Sequence, residues 1–201
     1  MPFRLVVGLG NPGKLYENTR HNIGFRSVDY FTQNFAEGSW RYERAMEASI
    51  FSLPQEEGRL LFAKSSNFMN LSGISVAKIC SFFKIPSAQV VVISDDVTLD
   101  LSRVKITERP GSAGHNGVKS ILAKIGPGLV RFRIGIGRKH SSETALADHV
   151  LGIFDAQEEE ILCKKMPCIA RALKLLLDKG TLNAMNEVNR SLCEQNLTEQ
   201  P

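Results

Sequence analysis

Short apolar runs alternate along this chain with segments whose apolar residues recur every three or four positions. Leu5-Val6-Val7 reads as a buried strand, and Gly8-Leu9-Gly10-Asn11-Pro12-Gly13 breaks it. Phe25, Val28, Phe31 and Phe35 then fall at i, i+3, i+6 and i+10, which predicts a helix. Residues 41–52 and 58–63 read as two strands around the polar turn Pro54 to Gly58. A loop from Ser65 to Gly73 enters a second helix with the stripe Val76, Ile79, Cys80, Phe83, which Pro86 ends. Val90 to Ile93 is wholly apolar, as in a central strand, and runs into Ser94-Asp95-Asp96. Residues 103–107 predict another strand. After the glycine-rich turn Gly111 to Gly117, a third helix points Val118, Ile121, Leu122 and Ile125 inward and stops at Gly126.

In Arg131-Phe132-Arg133-Ile134-Gly135-Ile136 the alternation is strict, so Phe132, Ile134 and Ile136 share one face and Arg131 and Arg133 the other. The two guanidinium groups would stand roughly 7 Å apart, near a phosphate-to-phosphate spacing. Residues 156–178 carry a long helical pattern with Pro167 inside it, which predicts a kink or break there. Strands separated by helices predict an α/β fold: a single domain over residues 1–190, with a twisted, mixed and mostly parallel β-sheet flanked by helices. Residues 191–201 form a polar tail expected to fray. The Ser, Ala and Gly content of 141–155 suggests a mobile cover over a site.

Composition changes this picture little: 43% hydrophobic and 23% charged residues describe an ordinary globular chain. No signal-peptide pattern opens the chain, and no apolar run approaches a membrane span. Cys80, Cys163, Cys168 and Cys193 lack metal-ligand spacing and read as reduced thiols, which points to a cytoplasmic setting.

Charge changes the picture more. The net charge of +4 is unevenly spread: from Arg103 to His140 nine basic residues face Glu108 alone, whereas Ser141 to Cys163 holds six acids and no Lys or Arg. Such a segment suits either a solvated face or a phosphate-backbone footprint.

Four polar loops follow strands or open helices: Asn11 to Asn22, Asn67 to Asn70, Asp95-Asp96, and His115-Asn116. Amides in such places often cap or turn the chain, but they also donate to a developing oxyanion without adding net charge. His21 is the group in the first loop whose ordinary pKa suits proton transfer near neutrality. No Gly-x-Ser-x-Gly elbow or zinc-like cluster is present, which predicts water as nucleophile, no metal and no cofactor.

Several segments match in order: Asn11-Pro-Gly, Tyr16, Thr19-Arg20-His21-Asn22, Phe68 to Gly73, Asp95-Asp96, Gly114-His115-Asn116-Gly117 with Lys119-Ser120, Arg131 to Gly137, Val150-Leu151-Gly152 and Ala184-Met185-Asn186. In these the chain resembles the bacterial-type peptidyl-tRNA hydrolases over residues 3–190. The resemblance implies a monomeric esterase that frees tRNA from a peptide joined to its terminal ribose, with peptidyl-tRNA as partner and no membrane association. It implies His21 as general base, oriented by Asp95. Asn11, Asn70 and Asn116 would hold water, peptide carbonyl and tRNA end, while Tyr16, Phe68, Met69 and His115 line the site.

Lys105 and Arg133 are the best matches to a clamp on a tRNA phosphate. Three positions depart from the family pattern. Thr107 stands where a second basic residue is common, with Arg109 as a substitute. Ala113 stands where glycine is common, and Thr98 where an acid is usual. A non-catalytic RNA-binding protein on the same scaffold is the alternative, and a small-molecule hydrolase or nucleotide-binding domain a third.

Overall fold

The computed structural model describes residues 3–55, 58–109, 111–137 and 143–191. Seven strands form one sheet in the order β2-β3-β4-β1-β5-β7-β6. They are β1 (Leu5–Gly8), β2 (Arg41–Glu43), β3 (Ala48–Gln55), β4 (Gly58–Ser65), β5 (Val90–Asp96), β6 (Val104–Thr107) and β7 (Val130–Gly135). Four neighbouring strands, β4, β1, β5 and β7, run parallel. Antiparallel pairs close both edges, β3 on β4 and β2 on β3 at one side and β6 on β7 at the other. The sheet is therefore mixed and mostly parallel, as expected.

Five helices cover it: α1 (Ile23–Phe35), α2 (Ser72–Phe83), α3 (Asn116–Ile125), α4 (Glu143–Leu151) and α5 (Ala156–Ser191). Alternation splits the central strands between two cores. Val6, Val91, Ile93, Phe132 and Ile134 pack with α1 and α5, while Leu5, Val7, Val90 and Val92 pack with α2 and α3. Strands buried on both faces read as unbroken apolar runs for this reason.

Three local expectations are corrected. The strand expected over 41–52 is interrupted by the 3-10 turn Arg44–Met46 and by Glu47 at φ 50°. Its backbone carbonyl there accepts from Ser66 N and Ser75 Oγ, which offsets the left-handed conformation. Phe35, expected on the inner stripe of α1, is 38% exposed; Ile23, Ser27, Val28, Phe31 and Thr32 form the buried face. The break expected at Pro167 falls instead at Gly180, the one residue of α5 with non-helical dihedrals. Its φ of 76° suits glycine, which explains why the chain turns there and not at the proline. Helix α5 runs to Ser191, and near its end Asn189 exchanges hydrogen bonds with the backbone N–H and carbonyl of Ile106 at 2.8 and 2.9 Å. Of the expected cover, residues 143–151 form α4; residues 138–142 and 192–201 lie outside the described part, as does Cys193.

The carboxyl ends of β1 and β5 lie side by side, with Gly8 opposite Ile93. The loop leaving β1 turns back at once. Leu9 N bonds Ile93 O at 2.9 Å, and Phe25 N bonds Leu9 O at 3.1 Å. This closeness requires Gly24, where a Cβ would meet Leu9 N and O at 2.5 Å and Ile93 O at 2.6 Å. On an open helix face alanine would be favoured over glycine by about 1 kcal/mol. Here the sign reverses: Gly24→Ala is expected to destabilise the fold by about 1–3 kcal/mol. A urea titration reads it as a lowered midpoint at constant slope, and an unchanged or raised midpoint would disprove so tight an approach.

Candidate active site

The first loop leaves β1 through Leu9 and Gly10, makes 3-10 turns at Lys14–Tyr16 and Arg20–Asn22, and enters α1. Its shape is fixed by side chains. Asn22 is buried and forms a reciprocal pair with the backbone of Asn11, accepting from Asn11 N at 2.8 Å and donating to Asn11 O at 2.9 Å. Arg20 is buried against the Phe154 ring and makes a two-pronged ion pair with Glu158 of α5 at 2.9 and 2.7 Å. That clamp lies one residue before His21 and holds the turn to the body of the protein. Neither role was legible from residue type, although Arg20 and Asn22 flank His21 in the matched segment.

His21 and Asp95 come together although 74 residues separate them. His21 Nδ1 lies 2.7 Å from Asp95 Oδ1, and Asp95 is 4% exposed at the end of β5. A second imidazole meets the same oxygen, His115 Nε2 at 2.9 Å. His115 is the N-cap of α3, and its Nδ1 accepts from the N–H groups of Gly117 and Val118 at 3.1 and 3.3 Å. A nitrogen that accepts carries no proton, so the proton of neutral His115 sits on Nε2 and is donated to Asp95. Burial alone would push the Asp95 carboxyl up. The two imidazoles outweigh it, His115 first and then His21, and hold it well below the usual carboxylate range.

A carboxylate held ionised accepts the Nδ1–H of His21 and leaves His21 Nε2 as the free basic atom. His115 was expected to touch substrate or cap the helix. It does cap the helix, and its contact with Asp95 was not foreseen.

His21, Asp95 and His115 bring three ligand-type atoms within 4.8 Å of one another. A divalent ion at His115 Nε2 would displace the proton there while Nδ1 still accepts from the backbone. The ring would become an imidazolate, so this donor set does not fit a resident metal.

The expected substrate residues are placed as follows. Asn11 is buried, and its Oδ1 accepts from Met69 N at 2.8 Å, which leaves the Nδ2 amide as its remaining donor. Asn70 and Asn116 are exposed, on the 3-10 turn Met69–Leu71 and the first turn of α3. Tyr16 and the exposed Phe68 meet edge to face, with centroids 5.9 Å apart. Met69, which residue type placed in the core and the resemblance at the groove, is 5% exposed and packs over Leu9 and Gly117. Asn67, in the same loop, is tied to Glu47 and Ser75. A groove of about 730 Å³ opens beside the first loop, but it shares only Asn11 and Asn22 with this cluster and does not reach His21 or Asp95.

On the other face of β5 and β7 the basic residues are not alike. Lys105 is exposed and lies opposite Arg133 in the β6–β7 register. Arg133 is ion-paired with Asp96, so it is not a bare cation. Arg131, expected beside it as a second phosphate contact, is 5% exposed and donates to Gly111 O at 3.1 Å. That expectation is corrected: the strand alternation was right, but the loop at Gly111 covers one of the two arginines.

Residues 5–197 match the family model for peptidyl-tRNA hydrolase. The chain is 40% identical over 191 residues to the peptidyl-tRNA hydrolase of Chloroflexus aurantiacus, covering 92% of this chain and 98% of the relative. It is 37% identical over 191 residues to that of Clostridium novyi, covering 92% and 97%. The crystal structure of peptidyl-tRNA hydrolase from Acinetobacter baumannii superposes with a TM-score of 0.86 at 29% identity, over 94% of this chain and 95% of that one. The chain belongs to the peptidyl-tRNA hydrolase family.

The depressed Asp95 carboxyl ties stability to pH. Its contribution is fully present above the ordinary value near 3.9 and is lost as pH falls through the lower folded value. His115→Ala removes one of the two donors and the cap of α3, and is expected to cost about 1–2 kcal/mol near neutrality. The deficit in urea midpoint should be larger at about pH 6 than at about pH 3, and an equal deficit at both would separate His115 from the Asp95 charge.

Proposed function

We propose that His21, steadied by Asp95, activates water to cleave the ester between a peptide's carboxyl-terminal carbonyl and the terminal ribose of tRNA. Membership of the family supplies the reaction: the chain is an ester hydrolase acting on peptidyl-tRNA. The observation that carries the mechanism is the 2.7 Å contact between His21 Nδ1 and the buried Asp95 carboxylate, which leaves Nε2 free.

In the forward step His21 Nε2 takes a proton from water as the oxygen attacks the carbonyl carbon. The carbonyl becomes a tetrahedral oxyanion, and the amides of Asn11, Asn70 and Asn116 are the donors for it and for the water. Collapse expels the ribose oxygen, which takes the proton back from the His21 imidazolium. Asp95 remains ionised throughout and stabilises that imidazolium, the part an aspartate plays behind a histidine base.

Tyr16 and Phe68 form an apolar wall for the peptide beside these amides. Lys105 and Arg133 are proposed to hold a tRNA phosphate, with the exposed Arg109 substituting for the second base that Thr107 does not supply. The enzyme is proposed to act as a monomer in the cytoplasm; among the described residues no helix is long and apolar enough to cross a membrane. A purely RNA-binding role would leave unexplained why a buried carboxylate fixes two imidazoles.

His21→Ala is expected to lower peptide release from an N-blocked aminoacyl-tRNA by about 10²–10⁴-fold with the fold intact. Asp95→Asn should lower kcat by about a thousandfold through loss of the anion behind the base. Near-wild-type turnover by either variant would end this mechanism. The free, unblocked aminoacyl-tRNA should be the poorer substrate in the same assay. Arg133→Ala should raise KM and reduce the slope of log KM on log salt by about 1. An unchanged slope would move the phosphate contact elsewhere.

A further inference from the structure

We propose that Asp96 and Thr98 are positioning residues for Arg133, setting the guanidinium so that its outer edge faces an incoming phosphate beside Lys105; this rests on the tRNA hydrolase reading above. Asp96 follows the catalytic carboxylate directly, and strand alternation turns the two acids to opposite faces of β5. Asp95 serves the imidazoles, and Asp96 reaches Arg133 on β7.

Every strong acceptor direction of Asp96 is taken. Its Oδ1 accepts from Thr98 N at 2.8 Å and Thr98 Oγ1 at 2.6 Å. Its Oδ2 accepts from Nε of Arg133 and makes ion-pair contact with Nη2 of the same guanidinium. Asp96 is 7% exposed, so its carboxylate is largely withdrawn from bulk water. A guanidinium is planar, and fixing Nε and Nη2 on one oxygen fixes the whole plane. Its Nη1 edge has no partner among the described residues. In register, the residue opposite Arg133 is Lys105, which is exposed and makes no ion pair among the described residues. The two cations are thus neighbours across the β6–β7 ladder, one held by Asp96 and one exposed.

Thr98 holds the far side of the carboxylate through two donors of its own. An ionised acid cannot donate to Asp96 and would repel it. The threonine hydroxyl supplies a donor in its place and completes the restraint begun by its own N–H. Pre-ordering a long side chain lowers the entropy lost when phosphate binds.

The sign of the effect separates positioning from bulk charge. Deleting an anion next to a tRNA-binding face should by electrostatics alone lower KM. If Asp96 positions Arg133, deleting its charge raises KM instead, because the single carbonyl oxygen of asparagine can accept from Thr98 or from Arg133 but not from both, and the ion pair is lost.

The test is steady-state hydrolysis of an N-blocked aminoacyl-tRNA by the full chain and its variants. Asp96→Asn should raise KM by about fivefold with kcat within about twofold of wild type. Thr98→Val should raise KM by about twofold, and Thr98→Ser, which keeps the hydroxyl, should restore it. In an Arg133→Ala background Asp96→Asn should change KM by less than about twofold, since the group it positions is gone. A KM unchanged or lowered in Asp96→Asn overturns the proposal, as does an effect that persists without Arg133. So does a fall in kcat alone, which would place the damage at Asp95. Should Asp96→Asn fail to fold, the Thr98→Val and Thr98→Ser pair decides by the same criterion. A wild-type chain that releases no peptide would sink the function itself; an active wild type with an indifferent Asp96→Asn sinks only the positioning role.

Discussion

One oxygen atom organises this protein. Asp95 Oδ1 accepts from His21 on the loop after β1 and from His115 at the start of α3. The end of β5, the entry to α1 and the N-terminus of α3 must therefore converge within hydrogen-bond reach of one buried carboxylate. The two imidazoles lie with ring centres 5.0 Å apart. They differ because the other nitrogen of each is used differently. Both ring nitrogens of His115 are engaged, one by backbone N–H groups and one by Asp95, whereas His21 keeps an open nitrogen. The same side-chain type serves once as a fixed donor and once as a base, and the backbone around it decides which.

Such convergence needs backbones closer than ordinary side chains permit. Gly24 lets α1 rest on Leu9 and the end of β5, which brings His21 toward Asp95. Gly73 lies where a Cβ would meet Ser120 O at 2.2 Å, so α2 and α3 touch through their backbones. Gly117, the second residue of α3, leaves room for the Met69 sulfur. Met69 in turn presents its N–H to Asn11, and Asn11 is thereby turned to offer its amide. Packing in the core and the orientation of a functional amide are one constraint here, which is why Met69 belongs to the interior and still shapes the site.

Much of this was legible beforehand because it follows from short-range rules. Apolar runs and three-to-four periodicity located nearly every strand and helix, and glycine-rich turns after strands located the polar loops. The pairing of His21 with Asp95 came through the family resemblance, since nothing local links positions so far apart in sequence. What stayed hidden depends on tertiary partners. Glu47 adopts a left-handed conformation that its type disfavours because a carbonyl is needed there by Ser66 and Ser75. The break in α5 sits at Gly180 because a proline inside a helix is tolerated where neighbours hold it, while a φ of 76° is not helical at all. Arg131 looked like the twin of Arg133, and only the position of the Gly111 loop separates a buried structural guanidinium from one at a surface.

The departures from the family pattern share a local logic. Thr107 faces Arg131 across the β6–β7 ladder, so the side chain at that position lies beside a covered arginine and is itself buried. A second cation there would be desolvated next to a buried guanidinium whose pKa is already lowered by burial and by Arg133. A neutral threonine avoids that repulsion. Ala113 adopts φ 49°, a conformation glycine takes freely and alanine only at a cost of about 1–2 kcal/mol. It does so two residues before the cap that fixes His115, where the turn must deliver an imidazole to Asp95. The strain is borne because the turn lets His115 cap α3 and reach the ionised Asp95 at 2.9 Å. In each case the altered residue answers to the ionic group it lies nearest, and the charged framework around Asp95 and Asp96 sets which substitutions the surrounding turns accept.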